Sequence, residues 1–437
     1  MTSTQPANRV WRLAAALVAI VALGFTGFTA VQLYRAEQLA EATTEPELER
    51  AVALAGANSD AWARLGALRE KRGESSGAAQ ALLRAVELNR YDAAAWVDLG
   101  LHWETEGDNK KAEQCLQEAV RVNGGFYPRW VLANFYLRQG GGEPFWTAMR
   151  QAISRSKADL TGAFELYWRA FDDPNEILQK GIPDAPEISR RYFRFLLESN
   201  RTAVAAGPWN RIAGSLQPAD LPWATQYLDQ LLSAPSVTEA VQVWNHLCEA
   251  GLLREQPLDP ARGRVLTNGR FELPSSGLAF DWRLARAEGV TSDRQASGGA
   301  PALCIHLSGA HPEATDLLSQ LAPVEERQTY QLRYHYATAG LPDDTGLYWT
   351  VEEIPGGAKL MSGASLAAAD EGAREGEATV HTGPRTSLIR LVLAYRRSPG
   401  TIRTAGSVCL SDVDLAPAGG MRPALQSPGK RSRKVQP

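Results

Sequence analysis

The sequence predicts an α + β multidomain protein: an N-terminal transmembrane helix, then an α-solenoid of helical hairpins, then an antiparallel β-sandwich. Three observations carry this. Leu13 to Leu33 contains no charged residue. From Ala51 to Gly141 a pattern recurs every 34 residues, marked by Trp62, Trp96 and Trp130. Beyond Arg264 the apolar spacing changes from the 3.6 of a helix to the two of a strand.

The uncharged run is 21 residues long, and at 1.5 Å per residue it spans about 30 Å, the thickness of a bilayer's hydrocarbon core. Arg9, Trp11 and Arg12 precede it and Tyr34 and Arg35 follow, which suits anchoring at the two interfaces. A cleaved signal peptide is the competing reading. Its apolar core is usually shorter, and a cut after Ala30 places bulky Phe28 at the −3 position. A retained anchor is therefore expected. Arg9 and Arg12 have no acidic neighbour, whereas Glu37 and Glu41 follow Arg35. The positive-inside rule then keeps residues 1–12 cytoplasmic and the bulk of the chain outside, in the periplasm of a bacterium.

The repeat aligns without gaps. Ala51 to Trp62, Ala85 to Trp96 and Ala119 to Trp130 superimpose, and Leu48, Leu82 and Leu116 keep the phase, as do Gly66 and Gly100, Gly73, Gly107 and Gly141, and Ala78 and Ala112. Within one unit, Trp62, Leu65 and Leu68 predict a first helix from Asp60 to Arg72, with Asp60 as its N-cap. Gly73 ends it, because glycine takes the left-handed backbone of a helix stop. Ala78, Ala81, Leu82, Ala85 and Leu88 form the inward stripe of a second helix, the alanines permitting close approach. Such hairpins bury their apolar faces only by stacking on one another.

These residues resemble the tetratricopeptide repeat family over 45–141. Two departures stand out: Arg90 and Gly124 replace the proline that usually closes a unit, and the third repeat lacks the second-helix alanines. The resemblance implies a scaffold holding a peptide or partner protein, with no ligand residue carried over. Trp62, Trp96, Trp130, Gly73, Gly107, Ala78 and Ala112 read as structural.

From Pro144 to Leu253 helical stripes continue while the period fades: Phe164, Tyr167, Trp168 and Phe171; Ile188, Tyr192, Phe195 and Leu196; then 221–232 and 237–252. A continuing irregular solenoid over 36–255 is expected, with a separate bundle as the alternative. Pro257, Pro260 and Gly263 mark a linker at 256–264. Over 265–416 apolar residues alternate: Leu303, Ile305 and Leu307; Tyr330, Leu332, Tyr334 and Tyr336; Ile389, Leu391, Leu393 and Tyr395. Short alternating runs with turns between them predict an antiparallel sandwich. Residues 417–437, rich in Pro, Gly and Ser and carrying Lys430, Arg431, Arg433 and Lys434, read as a disordered basic tail.

Asn268-Gly-Arg-Phe-Glu272 with Trp282 opens the sandwich, and Ser411-Asp-Val-Asp-Leu415 closes it. This pairing resembles the jelly-roll carbohydrate-binding modules of the galactose-binding-like fold, in which an opening N-G-x-F-E strand lies against a final D-V-x-L strand. The resemblance implies a jelly roll, often with a structural calcium ion near those strands and sometimes a sugar groove lined by aromatics. Sugar-binding candidates are Trp282, Tyr334, Tyr336, Tyr348 and Trp349, and metal candidates Glu272, Asp412 and Asp414. The same rings read equally as sandwich core, and the usual burial of aromatics favours that.

Asp412 and Asp414 share a strand face, their side chains roughly 7 Å apart. That separation suits a glycosidase pair or a hard cation, and equally a solvated strand end. Adjacent Glu352 and Glu353 point to opposite faces and make a poor acid–base pair. Cys304 and Cys409 fall on two predicted strands and form either a disulfide or two buried thiols. No GxxxxGK[ST], GxGxxG, HExxH or GxSxG motif occurs, and His102 and His246 lie within helical stripes. A net charge of −3 gives no drive toward nucleic acid. The expectation is a non-catalytic, membrane-anchored scaffold binding an unidentified protein and polysaccharide, by analogy in cell-envelope or exopolysaccharide assembly. A glycan-active enzyme is the alternative.

Overall fold

The structure is a computed structural model and describes residues 6–41, 43–234, 236–297, 300–369 and 372–419. The tail expected beyond Pro417 falls largely outside these residues. Contacts divide the chain into two compact units, one up to Arg191 and one from Tyr192 onward.

The first unit is helical: α1 (Pro6–Ala40), α2 (Glu45–Leu54), α3 (Ser59–Lys71), α4 (Ser75–Leu88), α5 (Ala93–Thr105), α6 (Asn109–Val122), α7 (Phe126–Arg138), α8 (Glu143–Arg155), α9 (Thr161–Ala170) and α10 (Pro174–Glu176), which runs into a π turn, Ile177–Gly181. α1 is unbroken, and its stretch Ala14–Leu39 is long and apolar enough to cross a membrane. Its last turn joins the array, since Leu39 packs against buried Ala51 and Ala61.

The 34-residue period has a physical counterpart at each position. The Trp62 indole donates to the Gly56 carbonyl and the Trp96 indole to the Arg90 carbonyl, both at 3.0 Å. Gly66 and Gly100 lie where the second helix crosses. A Cβ there would come within 2.6 Å of Leu82 and 2.7 Å of Leu116. Gly73 and Gly107, at φ +76° and +81°, stop the first helices. The next amides then reach back, Glu74 to the Arg69 carbonyl and Asp108 to that of Trp103, each at 2.9 Å. The caps differ from expectation. Helix α3 starts at Ser59, so Asn58 and not Asp60 caps it, accepting from the Ala61 amide at 3.0 Å. Asp92, one period later, does the same for Ala94 and Ala95.

The third hairpin shows why the pattern decays. Trp146 stands in the slot of fully buried Ala78 and Ala112. It is housed by stacking on Tyr167 at 5.5 Å and by Gly181, where a Cβ would lie 3.0 Å from the indole. The first helices α3, α5 and α7 touch one another in turn, while α4 and α6 meet chiefly through α5. The first helices therefore form the inner side of the bend.

The second unit begins within α11 (Pro186–Glu198) and continues through α12 (Ala206–Ile212), α13 (Leu221–Ser233) and α14 (Val237–Glu249). Phe193, Trp209 and Tyr227 form its helical core, with Phe193 5.0 Å edge-on to Tyr227. Trp244 of α14 meets Phe280 edge-on at 5.8 Å, and Asn245 brackets Leu258 through both its amide and its carbonyl. These helices thus pack into the same unit as the sandwich.

The sandwich strands are β1 (Arg283–Leu284), β2 (Val290–Ser297), β3 (Ala300–Ser308), β4 (Ala314–Pro323), β5 (Thr329–Ala339), β6 (Leu347–Ile354), β7 (Lys359–Ser362), β8 (Arg374–His381), β9 (Leu388–Arg396) and β10 (Ala405–Pro417). They form two antiparallel five-stranded sheets, in the orders β1-β4-β9-β6-β7 and β2-β3-β10-β5-β8. Along β5 the even-numbered residues Tyr330 to Thr338 are buried in strict alternation, as the spacing predicts. β9 departs from it, because Val392 and Ala394 are buried on its outer face as well.

The opening segment is a turn, not a strand. Asn268 and Phe271 take positive φ, +47° and +54°, which drops Phe271 into the core 5.6 Å from Trp282. Gly269 still meets the closing strand: Val413 donates to its carbonyl at 2.9 Å, and a Cβ on Gly269 would collide with the Val413 carbonyl at 2.2 Å. At the same end Gly263 lies against Pro417, where a Cβ would come within 2.7 Å of the ring.

Candidate binding surfaces

On the first unit polar pairs tie α5 to α7 and α3 to α5. Arg138 grips Glu104 with two hydrogen bonds, 2.6 and 2.7 Å. The ring Nδ1 of buried His102 lies 2.6 Å from Glu70. Asp98 of α5 is pushed up to about 6, chiefly by loss of solvation and secondly by the charge of Asp92, with Lys71 opposing. The repeat tryptophans are half-buried; Trp62 and Trp96 are bonded to their own loops and Trp130 stacks on Phe126 at 5.6 Å, a structural role. Burial pushes the two thiols outside the sandwich up, Cys115 to about 11 and Cys248 to about 12, which disfavours the thiolate form of each.

In the sandwich the five ring candidates separate. Trp282 and Trp349 are fully buried and Tyr336 and Tyr334 nearly so, all between the sheets. Trp349 lies 6.4 Å from Trp282 and 5.7 Å from Tyr334. The Tyr334 ring covers Gly376, where a Cβ would sit 2.3 Å away. These four rings fill the core and offer no face to a saccharide. Tyr348 alone points outward, half-buried on β6 opposite Ala394 of β9.

Tyr348 shares that outer face with four charged residues the sequence does not single out as a group. Arg390 of β9 pairs with Asp316 of β4 at 3.2 Å and with Glu352 of β6 at 3.6 Å. Arg396 holds the other oxygen of Asp316 at 3.0 Å. Thr350 and Ser319, both buried, sit on either side of Val392 between them. The result is an aromatic ring beside a fixed net of donors and acceptors. That combination suits a polyol, since the ring packs on its C–H face while the charged groups bond its hydroxyls.

The other sheet's outer face holds Asp412 opposite His335 and Asp414 opposite Arg333, so the two carboxylates do share a face. Glu272 lies in the opening turn, and its carbonyl accepts from Arg294. Glu272, Asp412 and Asp414 do not gather, and among the described residues no set of three His, Cys, Asp or Glu side chains could hold a metal ion. Beside them Cys304 and Cys409 stand directly across β3 and β10, Cα atoms 4.0 Å apart, and are joined as a disulfide. Of the paired glutamates, Glu352 engages Arg390 and Glu353 accepts from the Thr386 hydroxyl at 2.5 Å, on separate partners as alternation requires.

No family model matches the sequence, and no curated protein matches it. Among solved structures the chain is similar to the crystal structure of MamA, at 24% identity over 25% of this chain and 66% of that one, with a TM-score of 0.24. It is similar also to a CBM4 structure, at 13% identity over 35% of this chain and 99% of that one, TM-score 0.29. A third is YrrB, a TPR protein with an unusual peptide-binding site, at 10% identity over 46% of this chain and 91% of that one, TM-score 0.24. The chain spans just under two-thirds of MamA.

Proposed function

We propose that the chain is a membrane-tethered, non-catalytic scaffold. The inner face of α3, α5 and α7 holds a partner protein, and the outer face of the sheet containing β4, β9 and β6 holds a polysaccharide. The observation that carries the second role is the grouping of Tyr348 with Asp316, Glu352, Arg390 and Arg396 on one rigid face. The Cys304–Cys409 disulfide supports an oxidising surrounding for the sandwich, in keeping with Arg9 and Arg12 on the cytoplasmic side of α1. Cell-envelope polysaccharide assembly is the setting that joins these roles.

Affinity electrophoresis of the full chain in nanodiscs, run through gels containing neutral and acidic polysaccharides, tests this. One polymer should retard the protein, and Tyr348→Ala and Arg390→Ala should each release it while the melting curve is kept. Free migration through every polymer removes the sugar role. Cleavage of a polymer, lost in Asp412→Ala or Asp414→Ala, would make the protein an enzyme.

A further inference from the structure

The direction of α1 decides which edge of the hairpin array meets the lipid. α1 runs without a break from Pro6 to Ala40, and Leu39 in its last turn is packed on Ala51 and Ala61. The array therefore packs directly on the end of the anchor helix. Short connections make successive helices antiparallel: α1 leads away from the bilayer, α2 returns toward it and α3 leads away again. The connections 55–58, 89–92 and 123–125 then lie on the bilayer side of the array. The glycine turns at Gly73, Gly107 and Gly141 lie on the far side.

The two edges differ in chemistry in the sense this geometry requires. Leu54, Tyr91 and Tyr127 are 41%, 72% and 57% exposed, and all three sit at the bilayer-side edge. Arg90 stands over the Tyr91 ring at 6.0 Å. Among the described residues none of the large exposed apolar side chains lies on the far edge, whereas charged residues occur on both, Asp60 and Asp92 on the bilayer side and Arg72, Glu74, Glu106 and Lys110 on the far side. A tyrosine with an apolar body and a polar tip, flanked by arginine, is the side chain that settles at the boundary of headgroups and acyl chains. Tyr34 and Arg35 of α1 repeat that chemistry at the end of the apolar run.

We infer that the edge formed by Leu54, Tyr91 and Tyr127 rests in the headgroup layer of the bilayer that α1 enters. The hairpin array thus lies along the membrane surface, its glycine turns facing away. The occupant is lipid, because the edge is continuous with the anchor. This rests on the reading of α1 as a retained anchor.

The test uses the full chain in nanodiscs, with nitroxide labels at Tyr91→Cys, Tyr127→Cys, Glu106→Cys and Val21→Cys in a Cys115→Ala, Cys248→Ser background. Collisional relaxation is read with oxygen and with a water-soluble nickel chelate. Val21 should report bilayer depth, Tyr91 and Tyr127 should lose nickel accessibility and gain oxygen accessibility, and Glu106 should remain open to nickel. If Val21 reads as buried in lipid while positions 91 and 127 match position 106, the edge does not touch the bilayer and the inference is overturned with the anchor intact. Nickel accessibility at Val21 overturns the anchor and this inference with it.

Discussion

Arg138 of α7 holds Glu104 of α5 by two hydrogen bonds, 2.6 and 2.7 Å long and one full repeat apart in sequence. A planar fork gripping a carboxylate is a contact that lysine cannot copy. Arg138→Ala and Arg138→Lys should both lower the first unit's stability, by about 0.2–1 kcal/mol given the partial exposure of the pair. The difference from the parent should shrink as salt is raised in denaturant titrations. Equal stability of the Lys variant and the parent would show that charge alone suffices.

Gly100 sits where α5 crosses α6, and its missing Cβ leaves room for Leu116. Gly100→Ala should cost about 1–3 kcal/mol by overpacking, and Gly107→Ala about 1–2 kcal/mol through its left-handed backbone. Both should lower the helical melting midpoint followed at 222 nm. An unchanged midpoint would mean that the hairpins do not cross as described.

Burial disfavours the charge of Asp98 and pushes its carboxyl up to about 6 in the folded chain, above the ordinary 3.8 of an aspartate. The folded state thus holds a proton that the unfolded state has released. Stability contributed here is present below the lower value and is lost as pH rises toward 6. Asp98→Asn should stabilise the first unit above pH 6 by about 1 kcal/mol, discounted because the group keeps some solvent. The gain should vanish near pH 4, as chemical denaturation at the two pH values can check. A loss at neutral pH would reverse the sign argued here.

The rings of the sandwich give opposite predictions from one strand. Trp349→Ala should unfold or weaken the module by about 3–5 kcal/mol, since a fully buried ring leaves a cavity. Tyr348→Ala, one residue earlier and outward, should leave the melting midpoint nearly unchanged and weaken polymer retention by about 2–10-fold. Loss of retention in neither folded variant would point to another surface.

The disulfide closes a separation of 105 residues between β3 and β10. Replacing both cysteines by serine should cost about 2–5 kcal/mol, seen as a lower denaturant midpoint that added reductant no longer changes. A reductant-insensitive parent would show that the bond does not stabilise the module.

The hairpins were legible because each recurring residue answers one steric demand: glycine where helices cross or stop, alanine where they touch, tryptophan over the loop carbonyl. The cap was misplaced because Asn58 and Asp60 both qualify chemically, and only the start at Ser59 decides between them. Alternation along β5 identified which residues share a face but not which face is dry, so Tyr334 and Tyr336 read both as sugar candidates and, more readily, as core. The outward group of Asp316, Tyr348, Glu352 and Arg390 was hidden because its members come from three strands. Their adjacency depends on the order β4-β9-β6, and strand order leaves no mark on local periodicity. The turn at the sandwich entry was signalled by Asn268-Gly269, a pair that favours positive φ, but Phe271, a bulky residue that rarely takes it, disguised the segment as a strand.

Gly263 and Pro417 touch, so chain enters and leaves the sandwich at one point. Tension applied across those two positions would load β10 from its C-terminal end, parting its rungs with β5 one at a time rather than all together. The tear would run only to Cys409, where the covalent link to Cys304 arrests it and keeps the rest of the module folded under load.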